Sequence, residues 1–295
     1  MQNLLDPAVL NAISGLDLVA ATVVDGFVAG LHRSADFGFS QEFAEYRAYA
    51  LGDDLRHVDW NVYARSDRTY IKRFHGETNS QLMLLVDASN SMGFATHAVT
   101  KLGYVRFIAA ALAYLATRRQ RDATGLVVFG DTVRDFVAPA SRQGHLQRVL
   151  ASLVAAQPQS TTSYAAPLTH LQGFLRRRGM VVVMSDFYAP PADIIRAVEP
   201  LRIHGNEVVL FQVLDPGELR PQVDGSSMLV DLETGATLEV SADYVRGRYR
   251  ERIEEHVSQL RREARRAGIG YQLLPTDQPL DQALAQYLRL RTGRD

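Results

Sequence analysis

Two short runs, Leu82-Met-Leu-Leu-Val86 and Met180-Val-Val-Val-Met184, are apolar at every position and stop abruptly at polar residues. A run this short, without polar alternation, reads as a strand buried on both faces, which requires a sheet covered on each side. The first run ends in Asp87-Ala-Ser89-Asn-Ser91 and the second in Ser185-Asp186. Ligands of open parallel sheets collect beyond the carboxyl ends of the strands, so both polar endings fall where a site would form. Asp87, Ser89 and Ser91 supply a carboxylate and hydroxyls, hard oxygen donors of the kind Mg²⁺ takes. The same residue types also make Asx turns or cap a following helix, so the triplet alone leaves ligand and turn both open. Between the runs stands Ser160-Thr161-Thr162-Ser163, a further hydroxyl cluster just before a helical pattern. Three loops bringing hydroxyls and carboxylates to one sheet edge would suit near-octahedral Mg²⁺, which keeps several of its waters.

The remaining periodicities alternate. Strands are predicted at 82–86, 124–129, 133–137, 180–184, 207–213 and 270–274. Helices are predicted near 100–118, 144–155, 165–177, 192–203, 242–266 and 280–290. Such alternation implies a mostly parallel, six-stranded, Rossmann-type α/β sheet with helices on both faces. Gly130-Asp131 marks a tight hairpin, so one edge strand is antiparallel. Residues 214–240 break the rhythm with Pro, Gly and two short strand-like runs, and read as a small β insertion.

Residues 7–33 are predicted helical, with Leu10, Ile13, Leu16, Leu18 and Val19 on one side for packing or for a partner. In the long helix near 242–266, Tyr249, Ile253, Val257 and Leu260 form an apolar stripe opposite a face rich in Arg and Glu. Arg176, Arg177 and Arg178 suit the C-terminal carbonyls of the helix they end.

The chain of 295 residues is long enough for a main domain at 81–295 and an N-terminal segment, 1–80, packed on it. A net charge of −1 gives no global field for nucleic acid or an anionic membrane. There are no cysteines, which removes disulfides, thiolate metal sites and cysteine nucleophiles. Leu18–Val24 is apolar, but Asp17 and Asp25 bracket it, and a spanning helix needs about 20 apolar residues. No signal peptide or membrane segment is expected, and the reading places the chain in the cytoplasm.

With its three loops, the chain resembles the von Willebrand factor A fold and its metal-ion-dependent adhesion site. That resemblance implies metal ligation by Asp87, Ser89, Ser91, Thr162 and Asp186, with Thr161 a substitute for Thr162. The ion would be Mg²⁺, with Mn²⁺ or Ca²⁺ as replacements. The related bacterial pattern usually reads Gly-Gly-Thr-Asp in the second loop, where this chain has Ser160-Thr161-Thr162-Ser163.

A second resemblance covers residues 37–240. Glu42-Phe-Ala-Glu-Tyr-Arg-Ala-Tyr49, Gly52-Asp-Asp-Leu-Arg-His-Val-Asp-Trp60 and Ala64-Arg-Ser-Asp-Arg68 lead to Phe74 and Glu77-Thr-Asn79. Asp215-Pro-Gly-Glu-Leu219 and Val230-Asp-Leu-Glu-Thr-Gly235 follow. The whole is similar to the bacterial family called domain of unknown function 58. Read from the residues alone, Asp53, Asp54, Arg56, Asp59, Arg65, Asp67 and Arg68 brace a scaffold, form a docking surface, support the metal loop or, through the carboxylates, hold a separate metal. Relatives are commonly encoded beside MoxR-type AAA+ ATPases. The resemblance therefore implies a metal-dependent adaptor, not an enzyme, linking such an ATPase to a client protein.

The alternatives are an Mg²⁺-dependent hydrolase and a metal-free scaffold. A hydrolase needs a positioned base. His57, His75 and His97 are the candidates, and none falls in a catalytic motif. There is no phosphate-binding G-x-x-x-x-G-K-[S/T] loop, so ATPase activity of the chain itself is not indicated.

Overall fold

The structure is a computed structural model. It describes residues 6–11, 15–31, 43–48, 70–74, 81–120, 122–164, 168, 171, 174–175, 178–221, 226–230, 232, 235–241 and 245–291. The chain divides into two compact units, one of residues 28–79 and one of residues 1–27 with 80–295. In the smaller, β1 (Phe43–Ala48) and β2 (Tyr70–Phe74) pair antiparallel, with a register shift between Phe43 and Glu45. The charged stretch from Asp53 to Arg68, with Trp60, His57 and His75, lies outside the described residues.

In the larger unit the predicted N-terminal helix is two helices, α1 (Pro7–Asn11) and α2 (Leu16–Leu31). Gly15 stands just before α2 at φ +100°, a left-handed value outside the helical range that glycine adopts freely. The interruption rotates the predicted stripe. Leu10 and Val19 are buried as expected, but Leu18 is 55% exposed, and Val23, Val24 and Phe27 carry the buried face instead. Ile13 lies outside the described residues.

The central sheet has the expected class. Its strands are β3 (Gln81–Asp87), β4 (Ala123–Phe129), β5 (Val133–Ala140), β6 (Gly179–Ser185), β7 (Glu207–Leu214) and β10 (Gly270–Pro275). They lie in the order β10-β7-β6-β3-β4-β5. Every pairing is parallel except β4 with β5. The strand β3 therefore has sheet on both sides, with Leu84 level with Leu126 and Val182, and all its residues are buried. The inserted β8 (Ser226–Val230) and β9 (Thr237–Ser241) form a separate antiparallel ribbon.

Helices cover the sheet. They are α3 (Lys101–Tyr114), α4 (His145–Ala155), α5 (Pro191–Val198), α6 (Pro216–Leu219), α7 (Arg250–Arg266) and α8 (Asp281–Arg291). On one face Met83, Leu85, Val181 and Val183 pack with Ile194 of α5 and Leu260 and Ala264 of α7. The other residues of β3 face away by strand alternation, and α3 packs there. An apolar surface nearly all round suits α3 to that buried position.

A π-helical turn, Val245–Tyr249, leads into α7, and a 3₁₀ segment, Glu199–Gly205, continues α5. The predicted helix at 165–177 falls mostly outside the described residues, although Leu168 and Leu171 are helical and buried. Arg178 donates to the Gly205 carbonyl at 3.5 Å, and Arg176 and Arg177 lie outside the described residues. Among the described residues no helix is long and apolar enough to cross a membrane.

Gly179 lies directly opposite Gln81 in the β3–β6 ladder, where a Cβ would overlap the Gln81 carbonyl. Gly179→Ala is expected to cost about 2 kcal/mol, measured as a lower urea midpoint at unchanged slope.

Candidate functional site

The site grows from the end of the central strand. Asp87 closes β3 and is fully buried. Its Oδ1 accepts the Ser89 N–H at 2.9 Å, which bends the chain at once into the 3₁₀ turn Asn90–Gly93. Its Oδ2 accepts the Ser185 hydroxyl at 2.6 Å and the Thr162 hydroxyl at 3.3 Å. The Ser89 and Ser91 hydroxyls lie 3.1 Å apart. Hydrogen bonds thus draw Asp87, Thr162 and Ser185 together beside the Ser89–Ser91 pair. Thr162 is half-buried against Asp87, whereas Thr161 is exposed. Asp186 follows β6, is buried, and its charge is felt at Asp87.

The second loop is held by backbone and by one arginine. Gln159 N–H donates to the Ala88 carbonyl, Asn90 N–H to the Ser160 carbonyl and Ser163 N–H to the Gly130 carbonyl, at 2.9, 2.9 and 2.8 Å. Arg134 of β5 donates to the Ala88 carbonyl at 3.0 Å, to the Gln157 carbonyl at 3.3 Å and to the Gln159 carbonyl. It also reaches the Ser160 hydroxyl at 2.5 Å. Ser160 has φ +55°, so this lattice of bonds holds a backbone that Ser adopts reluctantly.

The third loop is also constrained. Phe187 has φ +55° and is buried, stacked on Tyr164 at 5.7 Å. Ser185 Oγ accepts the Phe187 N–H at 3.1 Å and pairs with the Tyr164 hydroxyl at 2.9 Å, so its own proton points to Asp87. Gln212 donates to the Asp186 carbonyl at 2.9 Å and is itself held by the Tyr271 hydroxyl at 2.6 Å.

Charge is distributed unevenly. Burial, and then the charge of Asp186, push the Asp87 carboxyl up to about 7, only partly opposed by the bonds from Ser185 and Ser89. Among the described residues the groups bonded to Asp87 are all neutral. Asp186 instead meets the buried Lys101 ammonium at 2.8 Å, and Lys101 reaches Glu218 at 2.6 Å. Burial opposes the charge on Lys101, but the two carboxylates prevail and hold its pKa above the usual value. Glu218 is raised, because burial outweighs the help from Lys101.

Glu218 also completes a capping box on α6. It accepts the Asp215 N–H at 2.8 Å, while Asp215 accepts the Gly217 N–H at 2.7 Å. Asp215 further binds Thr96, through its N–H at 2.9 Å and through its hydroxyl. His97 accepts the Val99 N–H on Nδ1 at 3.3 Å, so Nε2 carries the proton it shares with Thr276 Oγ1 at 2.8 Å.

Among the described residues no three of His, Cys, Asp and Glu are gathered as a metal-ligating set. The donors around Asp87 are instead mainly hydroxyls. A buried carboxylate whose bonded groups among the described residues are neutral, gathered with the hydroxyls of Ser89, Ser91 and Thr162, fits a small hard cation in both donor chemistry and charge.

A family profile described as "Protein of unknown function DUF58" matches residues 45–263. The chain belongs to the DUF58 family. Uncharacterized protein Mb1516 of Mycobacterium bovis is 30% identical to this DUF58 chain over 244 residues, 81% of this chain and 75% of that protein. Uncharacterized protein Rv1480 of Mycobacterium tuberculosis matches to the same extent. An aerotolerance-related membrane protein from Bacteroides fragilis superposes with a TM-score of 0.51 at 15% identity, over 72% of this chain and 99% of that one. BatB from Bacteroides thetaiotaomicron gives a TM-score of 0.50 at 15% identity, with the same coverage. These two structures share the fold.

Sequence reasoning named Ser185 and Glu218 without giving either a role, and missed Lys101, Arg134 and Tyr164. The box Asp215-x-x-Glu218 was readable as a helix start. Lys101, a cation in the first turn of a mostly apolar helix, is an anomaly visible in the sequence. Arg134 and Tyr164 carry no such signal.

Asp87 binds its proton more tightly folded than unfolded, so the metal-free protein should lose stability as pH rises from about 4 to about 7. In chelator, urea unfolding is expected to show a loss of up to about 4 kcal/mol over that interval, which Asp87→Asn abolishes.

Proposed function

We propose that this DUF58 protein is a metal-dependent protein-docking module with a site like the metal-ion-dependent adhesion site of von Willebrand factor A domains. The observation that carries the reading is the buried Asp87 carboxylate, bonded to neutral groups and gathered with the hydroxyls of Thr162, Ser89 and Ser91. Ser89, Ser91 and Thr162 would hold Mg²⁺, with Asp87 and Asp186 acting directly or through water. Mn²⁺ or Ca²⁺ would serve in its place. Bound there, the ion supplies a local positive charge at a rim otherwise rich in carboxylates, and a carboxylate of a partner is the group it would attract.

Of the three candidate bases, His97 is the one among the described residues, and its surroundings favour docking. Both its ring nitrogens are engaged, Nδ1 by the Val99 N–H and Nε2 by Thr276 Oγ1 with Asp215 Oδ2 3.6 Å away, so neither nitrogen is open to a water or substrate proton. The partner we assign is a MoxR-type AAA+ ATPase, with a client protein as third component. That assignment follows from the resemblance in the 37–240 signature, as does a cytoplasmic location.

Two measurements test the reading. Mg²⁺ at a hundredfold its dissociation constant should stabilise the native chain by about 2.7 kcal/mol, and Asp87→Ala should remove the effect. A purified MoxR-type ATPase should be captured by the immobilised native chain in Mg²⁺, and capture should fall by about tenfold in chelator or with a folded Asp87→Ala chain. Equal capture in all three conditions overturns the docking role.

A further inference from the structure

Lys101 stands where local preference argues against it. It is the first residue of α3, and a cation in a first turn opposes the helix dipole. It is also fully buried, which an ammonium resists unless it is paired. The fold meets both objections with Asp186 Oδ2 at 2.8 Å and Glu218 Oε1 at 2.6 Å. The rings of Tyr188 and Phe94 lie 5.1 and 5.9 Å from the ammonium and complete the enclosure. Asp186 belongs to the loop after β6, Glu218 to α6 and Phe94 to the turn after β3. Four rim segments therefore meet on one nitrogen. Such compensated departures from local preference concentrate at functional sites.

The two buried aspartates of the site are consequently unequal. Asp87 has hydroxyl and amide partners, whereas Asp186 shares its charge with an ammonium at hydrogen-bond distance. Resting on the metal-dependent docking reading, we propose that Lys101 is a tethered counter-ion that competes with the divalent ion for Asp186 and so sets how tightly the site holds its metal. Glu218 divides the attention of Lys101. Without Glu218 the ammonium falls wholly to Asp186, and without Lys101 the carboxylate of Asp186 is released to the ion. The two changes thus act in opposite directions on metal affinity. Groups hydrogen-bonded to a ligating carboxylate commonly shift affinity by about 10–100-fold. A brace that only positioned the loops would weaken binding whichever partner was lost.

The test is a Mn²⁺ titration of the full chain without any partner, with free Mn²⁺ read by electron paramagnetic resonance. Glu218→Gln should weaken binding by a fewfold. Lys101→Met combined with Glu218→Gln, which removes one charge of each sign, should tighten it by about tenfold relative to the native chain. Adding Asp186→Asn to that pair should erase the gain. A folded pair, judged by circular dichroism, that binds Mn²⁺ no tighter than the native chain overturns the proposal.

If the pair does not fold, two isosteric variants decide. Asp186→Asn alone should weaken binding by less than about threefold and Asp87→Asn by more than about thirtyfold, and equal losses overturn the proposal. A native chain that binds no Mn²⁺ sinks this inference together with the metal in the docking reading. Metal-independent capture of the ATPase sinks the docking reading and leaves the Mn²⁺ result standing.

Discussion

A carboxylate buried at the end of the central strand governs this structure. Asp87 has sheet on both sides and no access to water, so its oxygens must be satisfied by whatever loops reach it. The Ser185 hydroxyl comes from the end of β6, the Thr162 hydroxyl from the segment between α4 and β6, and the Ser89 amide from the next turn of the chain. Each is neutral. The local fold therefore meets the hydrogen-bonding demand of Asp87 while leaving its charge largely uncompensated, and burial pushes the carboxyl up to about 7. Removing a polar partner from a buried charge costs more than the bond alone is worth, which ties the three loops to one another.

The neighbouring rim solves the same problem differently. Asp186 and Glu218 share a buried ammonium, and Asp215 is satisfied by Thr96 and by the first turn of α6. One sheet edge thus holds acids in two electrostatic states, one bonded to dipoles and one paired with a cation. Tyr164 stacks on Phe187 and bonds to Ser185, whose own proton goes to Asp87. The strained backbone at Phe187 persists because that stack and the Ser185 bond over-determine it.

Much of this was legible in the residues. Uninterrupted apolar runs at Leu82–Val86 and Met180–Met184 announced strands buried on both faces, and their polar ends marked the rim. The hairpin at Gly130-Asp131 was plain because short turns have strong local chemistry. What was not legible depended on distance. Lys101 and Glu218 are 117 positions apart, and no periodicity links them. The separation of α1 from α2 was lost for another reason: the apolar spacing on its two sides happens to match a continuous helix, and the left-handed φ of Gly15 shows only in the backbone. Which of Thr161 and Thr162 bonds to Asp87 is likewise visible only in the structure, because adjacent residues differ only in which way the chain turns.

The reversed edge strand has a geometric consequence. A parallel strand delivers its last residues to this rim, whereas β5 runs the other way and delivers its first. Arg134 is the second residue of β5 and so arrives at the opening only a short turn after β4 ends. An all-parallel layout would need another crossover helix before the outermost strand could offer anything there. Running one strand backwards gives the periphery a guanidinium arm with almost no added chain, and that arm fastens the segment carrying Thr162 to the one carrying Ser89.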